Sequence, residues 1–217
     1  MKKTRLSCSV FFLLLGLYTT SNVQAGRPLT VDDANVNDVG EGHVEGWWTR
    51  SPDGSRSWTV APAYAPAQNM ELGAGLSRQQ RTGLETWNVQ AKFRITESLK
   101  NGCNVGAVVG AMRTTGDASQ GYVNALFTCN HEALGSLHTN LGALNFSSAQ
   151  RIGTWGLAWE RPYGEVTAHF EIYGQQKDKP SWATGLRMNI LPKWQLDASI
   201  GRQSKQNLVT LGTKWQF

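Results

Sequence analysis

The 217 residues include 21 Lys and Arg, 16 Asp and Glu, three cysteines, nine tryptophans and 23 glycines. A mean hydropathy of −0.36 and the lack of a mature apolar run of about 20 residues exclude a helical membrane bundle. The formal charge of +5 does not argue for a nucleic-acid partner, because three of the 21 basic residues (Lys2, Lys3 and Arg5) lie in an N-terminal leader, leaving 18 against 16 acidic ones.

That leader, "MKKTRLSCSVFFLLLGLYTTSNVQA", has a basic start, an apolar run from Val10 to Tyr18 and small residues at Val23 and Ala25. This is the layout of a secretory signal peptide, with cleavage expected after Ala25. The run is too short for a spanning anchor. Cys8 precedes the apolar run instead of following it, which argues against a lipoprotein acylation site. Residues 26–41 form the next segment, acidic at Asp32, Asp33, Asp38 and Glu41. It is expected to tuck into the periplasmic mouth against basic groups of the lumen, as a candidate plug.

From residue 42 onward the chain alternates. "QNMELGAGLS" places Met70, Leu72, Ala74 and Leu76 on one face and Asn69, Glu71, Gly73, Gly75 and Ser77 on the other. "LETWNVQAKFRIT" sets Trp87, Val89, Ala91, Phe93 and Ile95 against Thr86, Asn88, Gln90, Lys92 and Arg94. The same period of two recurs in "GEVTAHFEIYG", "PSWATGLRMNIL" and "KWQLDASIG". A soluble antiparallel sheet also alternates, but not in so many consecutive segments with turn chemistry between them. Strands are predicted near 42–50, 56–63, 67–78, 83–96, 102–113, 119–130, 135–146, 152–161, 164–174, 181–191, 193–201 and 206–217, separated by punctuation such as "SPDG", "KNG", "TTGD" and "KDKP". The fold class is therefore all-β: a transmembrane antiparallel up-and-down barrel of about 12 strands, with ten as the alternative. An even count returns both ends to one side, and closure avoids unpaired backbone groups in hydrocarbon.

The last strand, "NLVTLGTKWQF", resembles the terminal strand of bacterial outer-membrane barrels, in which the assembly machinery reads an alternating apolar strand ending in Phe. Trp215 and Phe217 carry that assembly signal here. With a periplasmic N-terminus, Trp58 and Trp182 fall near the outer rim, and Trp159, Trp194, Trp215 and Phe217 near the periplasmic rim. Two aromatic belts are what a barrel in lipid requires. A second resemblance lies in "GRPLTVDDANVNDVGEGHVEGWW". Arg27, Pro28, Leu29, Asp32, Asp33, Ala34, Gly40, Gly42 and Glu45 match in order the start of the MetA-pathway-of-phenol-degradation, or transporter-like, outer-membrane proteins. Val31 stands where that family usually has Thr. The resemblance implies passage of small, often hydrophobic compounds across the outer membrane of a Gram-negative bacterium.

Parity assigns Glu45, Glu71, Lys92, Arg94 and Glu160 to the lumen, together with His169, Glu171, Arg187, Asp197 and Lys214. Their signs nearly balance, consistent with a narrow charged passage, with an ion-paired and closed lumen, or with a purely structural barrel. A rival from another class is a lipid-modifying enzyme, a lipid A deacylase or phospholipase, built on His138, Asn140 and Ser147. The serine is not spaced to meet His138, and no GxSxG elbow exists. No catalytic set, metal cluster or cofactor fingerprint is therefore expected. Arg50, Arg56, Arg78, Arg81, Arg113 and Arg151 fall at the outer tips, suited to lipopolysaccharide phosphates. Cys103 and Cys129 share an apolar face on strands hinged at Gly116, midway between them, so a tight hairpin sets them opposite each other. A disulfide is expected there, with two packed free thiols as the alternative. The pattern leaves the solute and the oligomeric state open.

Overall fold

The computed structural model describes residues 29–52, 54–145, 151–203 and 206–217. The leader, Arg27, Pro28, Asp53, Ser147 and Lys205 lie outside the described residues. Twelve strands follow in order: β1 (Gly42–Arg50), β2 (Arg56–Ala67), β3 (Met70–Gln79), β4 (Glu85–Arg94), β5 (Gly102–Thr114) and β6 (Gln120–His131). Then come β7 (Gly135–Leu144), β8 (Ile152–Tyr163), β9 (Val166–Gln175), β10 (Ser181–Leu191), β11 (Trp194–Gln203) and β12 (Gln206–Gln216).

Each strand pairs antiparallel with its chain neighbours, and β1 pairs with β12 from His43↔Gln216 to Arg50↔Val209, which closes the barrel. Closure lets the wall pair its backbone N–H and C=O groups with no sheet edge left over. Two backbone hydrogen bonds seal the seam where β1 begins and β12 ends, the periplasmic end on the topology predicted above: Phe217 N–H donates to Gly42 O at 2.9 Å and Gly42 N–H to Phe217 O at 3.1 Å.

The two faces follow the period of two. Outward apolar side chains are exposed in the isolated chain, among them Leu72 (45 %), Leu141 (55 %) and Ile200 (57 %). A continuous apolar band of this kind belongs in lipid. Trp48 and Trp58 are paired across β1 and β2, and Trp194 and Trp215 across β11 and β12. At the periplasmic rim Trp159 Nε1 donates to Leu134 O at 2.8 Å and Trp194 Nε1 to Thr213 Oγ1 at 2.6 Å, so each indole N–H is satisfied while its ring faces lipid.

β2 runs four residues beyond the predicted end, and β3 starts at Met70. Asn69, at φ 63°, makes the tight turn between them. The added residues include Pro66, and Pro62 lies four residues before it. Proline here interrupts the ladder without ending the strand: the β2–β3 register passes from Val60↔Leu76 directly to Ala63↔Gly73, then shifts between Tyr64 and Ala67.

The hairpin of β5 and β6 turns at Gly116, φ 91°, and sets Cys103 opposite Cys129. The two are joined in a disulfide with Cα atoms 4.0 Å apart. Its place on the lipid-facing side at the periplasmic end staples two neighbouring strands. The mature protein, unfolded in urea without reductant, should resist alkylation at both cysteines and take up two labels after reduction; labelling before reduction would show the bridge is not formed.

Candidate functional site: the barrel lumen

The lumen divides by height. Most inward charges sit on the periplasmic half of their strands: Glu45 on β1, Glu71 on β3, Lys92 on β4, Glu160 on β8, Arg187 on β10, Asp197 on β11 and Lys214 on β12, whereas Glu171 on β9 stands at mid-height. The inward positions of the outer half are instead mostly Thr, Ser, Asn, Gln, Gly and Tyr, as in Thr86, Asn88 and Gln90 ahead of Lys92 on β4, with Trp47, Met112 and Leu144 as apolar exceptions. The sequence contains this split, since strand direction and parity together reveal it. A list of lumen charges without heights does not.

Nine of the ten residues assigned to the lumen are buried; Arg94 is half-buried at the periplasmic mouth, its Nε and Nη2 donating to Asn69 Oδ1 at 3.0 and 2.8 Å. The structure brings six of the buried ones into two clusters. Across β7 to β10, Glu160 receives Arg187 Nη2 at 2.5 Å and lies 3.4 Å from His138 Nε2. His169 is its direct cross-strand neighbour, and Asp197 is that of Arg187. Beside the seam, Lys214 Nζ lies 3.5 Å from Glu45 Oε1, and His43 Nε2 3.8 Å from the same oxygen. A carboxylate buried without a cation would be costly, so the balance of signs is a condition for filling this space.

Residues 29–38 lie across the lumen. Asp32 Oδ1 and Asp33 Oδ1 accept from Lys92 Nζ at 2.8 and 3.4 Å. The segment also meets lumen acids through its backbone. Thr30 and Val31 N–H donate to Glu171 Oε2 at 2.6 and 2.9 Å, and Asn37 N–H donates to Glu71 Oε2 at 3.0 Å. Ala34 N–H donates to Thr128 Oγ1 at 2.9 Å, and Asn140 grips Asp32 in both directions, accepting from its N–H at 2.8 Å and donating to its carbonyl at 2.7 Å. The bonds to Lys92, Glu71 and Glu171 are charge-assisted and so stronger than these neutral ones.

Small wall residues make room for the crossing. A Cβ on Gly106 would lie 3.0 Å from Ala34 O, and one on Gly156 2.6 Å from Val31 Cγ2. The acidic character of the segment pointed to basic groups of the lumen, and Lys92 is the one that Asp32 and Asp33 reach. Its backbone bonds to Glu71 and Glu171 carry no side-chain signature, so sequence reading missed them. His138 is fully buried, with Nδ1 2.9 Å from Thr128 Oγ1. It belongs to this interior network and not to the rim, where an enzyme acting on lipid would need it; its supposed partner Ser147 lies outside the described residues.

Two cavities remain beside and above the crossing segment, of ≈ 380 Å³ and ≈ 430 Å³. The first runs along β1 to β4, where small residues such as Ala61, Ala63, Gly73 and Gly75 leave the wall thin, and it reaches from Ser77 and Thr86 down to Glu45, Lys92 and Lys214. The second opens above Thr30 and Val31 and is lined by Asn124, Thr154, Tyr173 and Gln175. Among the described residues, no group of three His, Cys, Asp or Glu is placed to hold a metal ion.

A family profile described as "Uncharacterised conserved protein UCP029691" matches residues 13–217. The chain belongs to that family. No curated protein matches it. Its fold is that of outer-membrane porins. The KdgM porin superposes with a TM-score of 0.68 at 9% identity, over 81% of this chain and 99% of the porin. The NanC porin gives 0.62 at 10%, over 80% and 98%, and Omp33 of Acinetobacter baumannii 0.56 at 11%, over 82% and 98%.

Replacing Lys92 by Ala should strand Asp33, only 2% exposed, without its cation. The expected loss is about 3 to 5 kcal/mol of the segment's docking or the barrel's stability. Limited proteolysis of the folded variant should show cleavage within 29–41 that the parent resists; equal resistance would show that Lys92 does not hold the segment.

Proposed function

We propose that the protein is a narrow outer-membrane channel for small compounds, closed part-way by its own N-terminal segment. The observation that carries this reading is the cavity along β1 to β4, which passes the segment and connects uncharged outer-half residues with charged periplasmic ones. A lumen built only for structure would be filled there, and the alanines and glycines of β2 and β3 leave it open. The porin fold supports a channel in general. On this reading the leader is a signal peptide cleaved after Ala25, the barrel sits in the outer membrane of a Gram-negative bacterium, and Trp215 and Phe217 serve assembly. The resemblance of Arg27 to Glu45 to the MetA-pathway proteins would extend the solutes to hydrophobic compounds; the hydrogen-bonding lumen wall favours polar ones.

Deleting residues 26–38 should raise single-channel conductance in planar bilayers several-fold over the full mature chain. Equal, negligible conductance in both would leave a structural barrel as the better reading.

The outer rim supports a lipopolysaccharide partner. Arg50 and Arg56 face each other across β1 and β2, one step beyond Trp48 and Trp58, and Arg113 lies opposite Trp87. These arginines therefore stand at headgroup height. Arg78 is partly engaged, 3.5 Å from Glu85. Replacing Arg50, Arg56, Arg81 and Arg113 with Gln should lower folding yield in lipopolysaccharide-containing vesicles more than in phosphatidylcholine; equal loss in both would count against the contact.

A further inference from the structure

The outer half of the lumen has a composition that selects a ligand. Its inward wall carries amides, hydroxyls, aromatic rings and the apolar Met112 and Leu144. Glu171 reaches this height but lines neither cavity, its carboxylate being taken up by the N–H groups of Thr30 and Val31, so the charge that lines the space lies on the floor below and at Asp178 and Lys179 on the rim of the second cavity. An ionic solute lowered into that space would lose water without gaining a counter-charge. A molecule that only donates and accepts neutral hydrogen bonds would not suffer that loss.

The amides are held in place before any ligand arrives. Tyr122 Oη donates to Gln90 Oε1 at 2.8 Å and accepts from Asn88 Nδ2 at 3.3 Å, and Thr154 Oγ1 donates to Asn124 Oδ1 at 3.3 Å. Each long amide lies over a cross-strand glycine: Asn88 opposite Gly75, Gln90 opposite Gly73, Asn124 opposite Gly142. A Cβ at any of the three glycines would press on the amide facing it, so the glycines let these amides lie back against a thin wall and leave the space in front of them open. The network uses one side of each amide and fixes its plane. Donors on Gln90 and Asn124 and an acceptor on Asn88 remain for a molecule in the cavity. Half-buried Trp47 in the first cavity and Tyr173 in the second add ring faces suited to the C–H side of a sugar. The volumes, ≈ 380 and ≈ 430 Å³, fall in the range of small-molecule sites.

We infer that this outer vestibule is a binding site for an uncharged polyhydroxylated solute of oligosaccharide type, seated on Thr30 and Val31 and held by Asn88, Gln90 and Asn124. The inference deepens the channel reading by naming the class of solute. It also separates this chain from the KdgM porin, one structure of which is described as a complex with oligogalacturonate, an acidic oligomer. Here the lumen cations Lys92, Arg187 and Lys214 lie below the vestibule, where the protein's own acids occupy them, and Lys179 alone of the lining cations stands at the rim, beside Asp178.

Calorimetric titration of the full mature barrel in detergent micelles tests it, with maltotriose and cellotriose as neutral probes and trigalacturonate as the acidic one. At least one neutral trisaccharide should bind saturably and at least tenfold tighter than trigalacturonate. The double variant Asn88→Ala, Asn124→Ala should weaken that binding at least tenfold while keeping the heat-modifiable gel mobility of a folded barrel. Gln90→Lys should narrow or reverse the preference over the acidic probe. Saturable binding of neither neutral probe, an acidic probe bound equally well, or full binding by the folded double variant would overturn the inference. Because the titration reads occupancy and bilayer conductance reads passage, binding without conductance would sink the channel and leave the site.

Discussion

A backbone in hydrocarbon has no water to satisfy its N–H and C=O groups, and a strand there must pair on both edges. Everything else in this molecule follows from meeting that constraint with twelve strands. The ring must close, so β1 pairs with β12 over eight residue pairs and the last residue, Phe217, exchanges hydrogen bonds with Gly42. Once closed, the wall has two faces, and the period of two sends alternate side chains to lipid and to the lumen. Apolar residues, the rim tryptophans and the disulfide take the outer face, leaving the inner face for polar chemistry.

A ring of this size encloses more space than its own inward side chains fill. The chain answers in two ways. In the periplasmic half it packs opposite charges against one another and against residues 29–38, whose backbone amides serve Glu71 and Glu171 as donors while Asp32 and Asp33 serve Lys92 as acceptors. The segment works as a two-sided adapter, presenting N–H groups to acids and carboxylates to a base. In the outer half, glycines opposite Asn88, Gln90 and Asn124 keep the wall thin and the amides ordered, and the space stays open. One strand thus changes chemistry along its length without changing parity, as β4 does from Thr86 to Lys92.

Which residues share a face was legible in the sequence, because side chains of a strand must alternate and turn residues mark where direction reverses. That reasoning gave twelve strands, the inward assignment of Glu160 and Arg187, and the opposition of Cys103 and Cys129 about Gly116. The end of β2 was predicted at residue 63, whereas the strand runs on through Pro66 to Ala67, because a missing N–H does not end a strand whose neighbours carry the ladder past it.

Contacts across the lumen were decided by tertiary structure alone. Nothing local links Lys92 with Asp32, 60 residues earlier, or Val31 with Glu171, 140 residues later. Their meeting depends on how far each strand is staggered against the next around the ring and on the path of a segment that belongs to no strand. His138 shows the difference: parity gives its face, but only the closed barrel sets it against Glu160 in the interior instead of at a rim. Alternation is imposed residue by residue by backbone geometry, whereas depth and partner across the lumen are imposed by the cumulative shear of twelve strands, a property no short stretch of sequence contains.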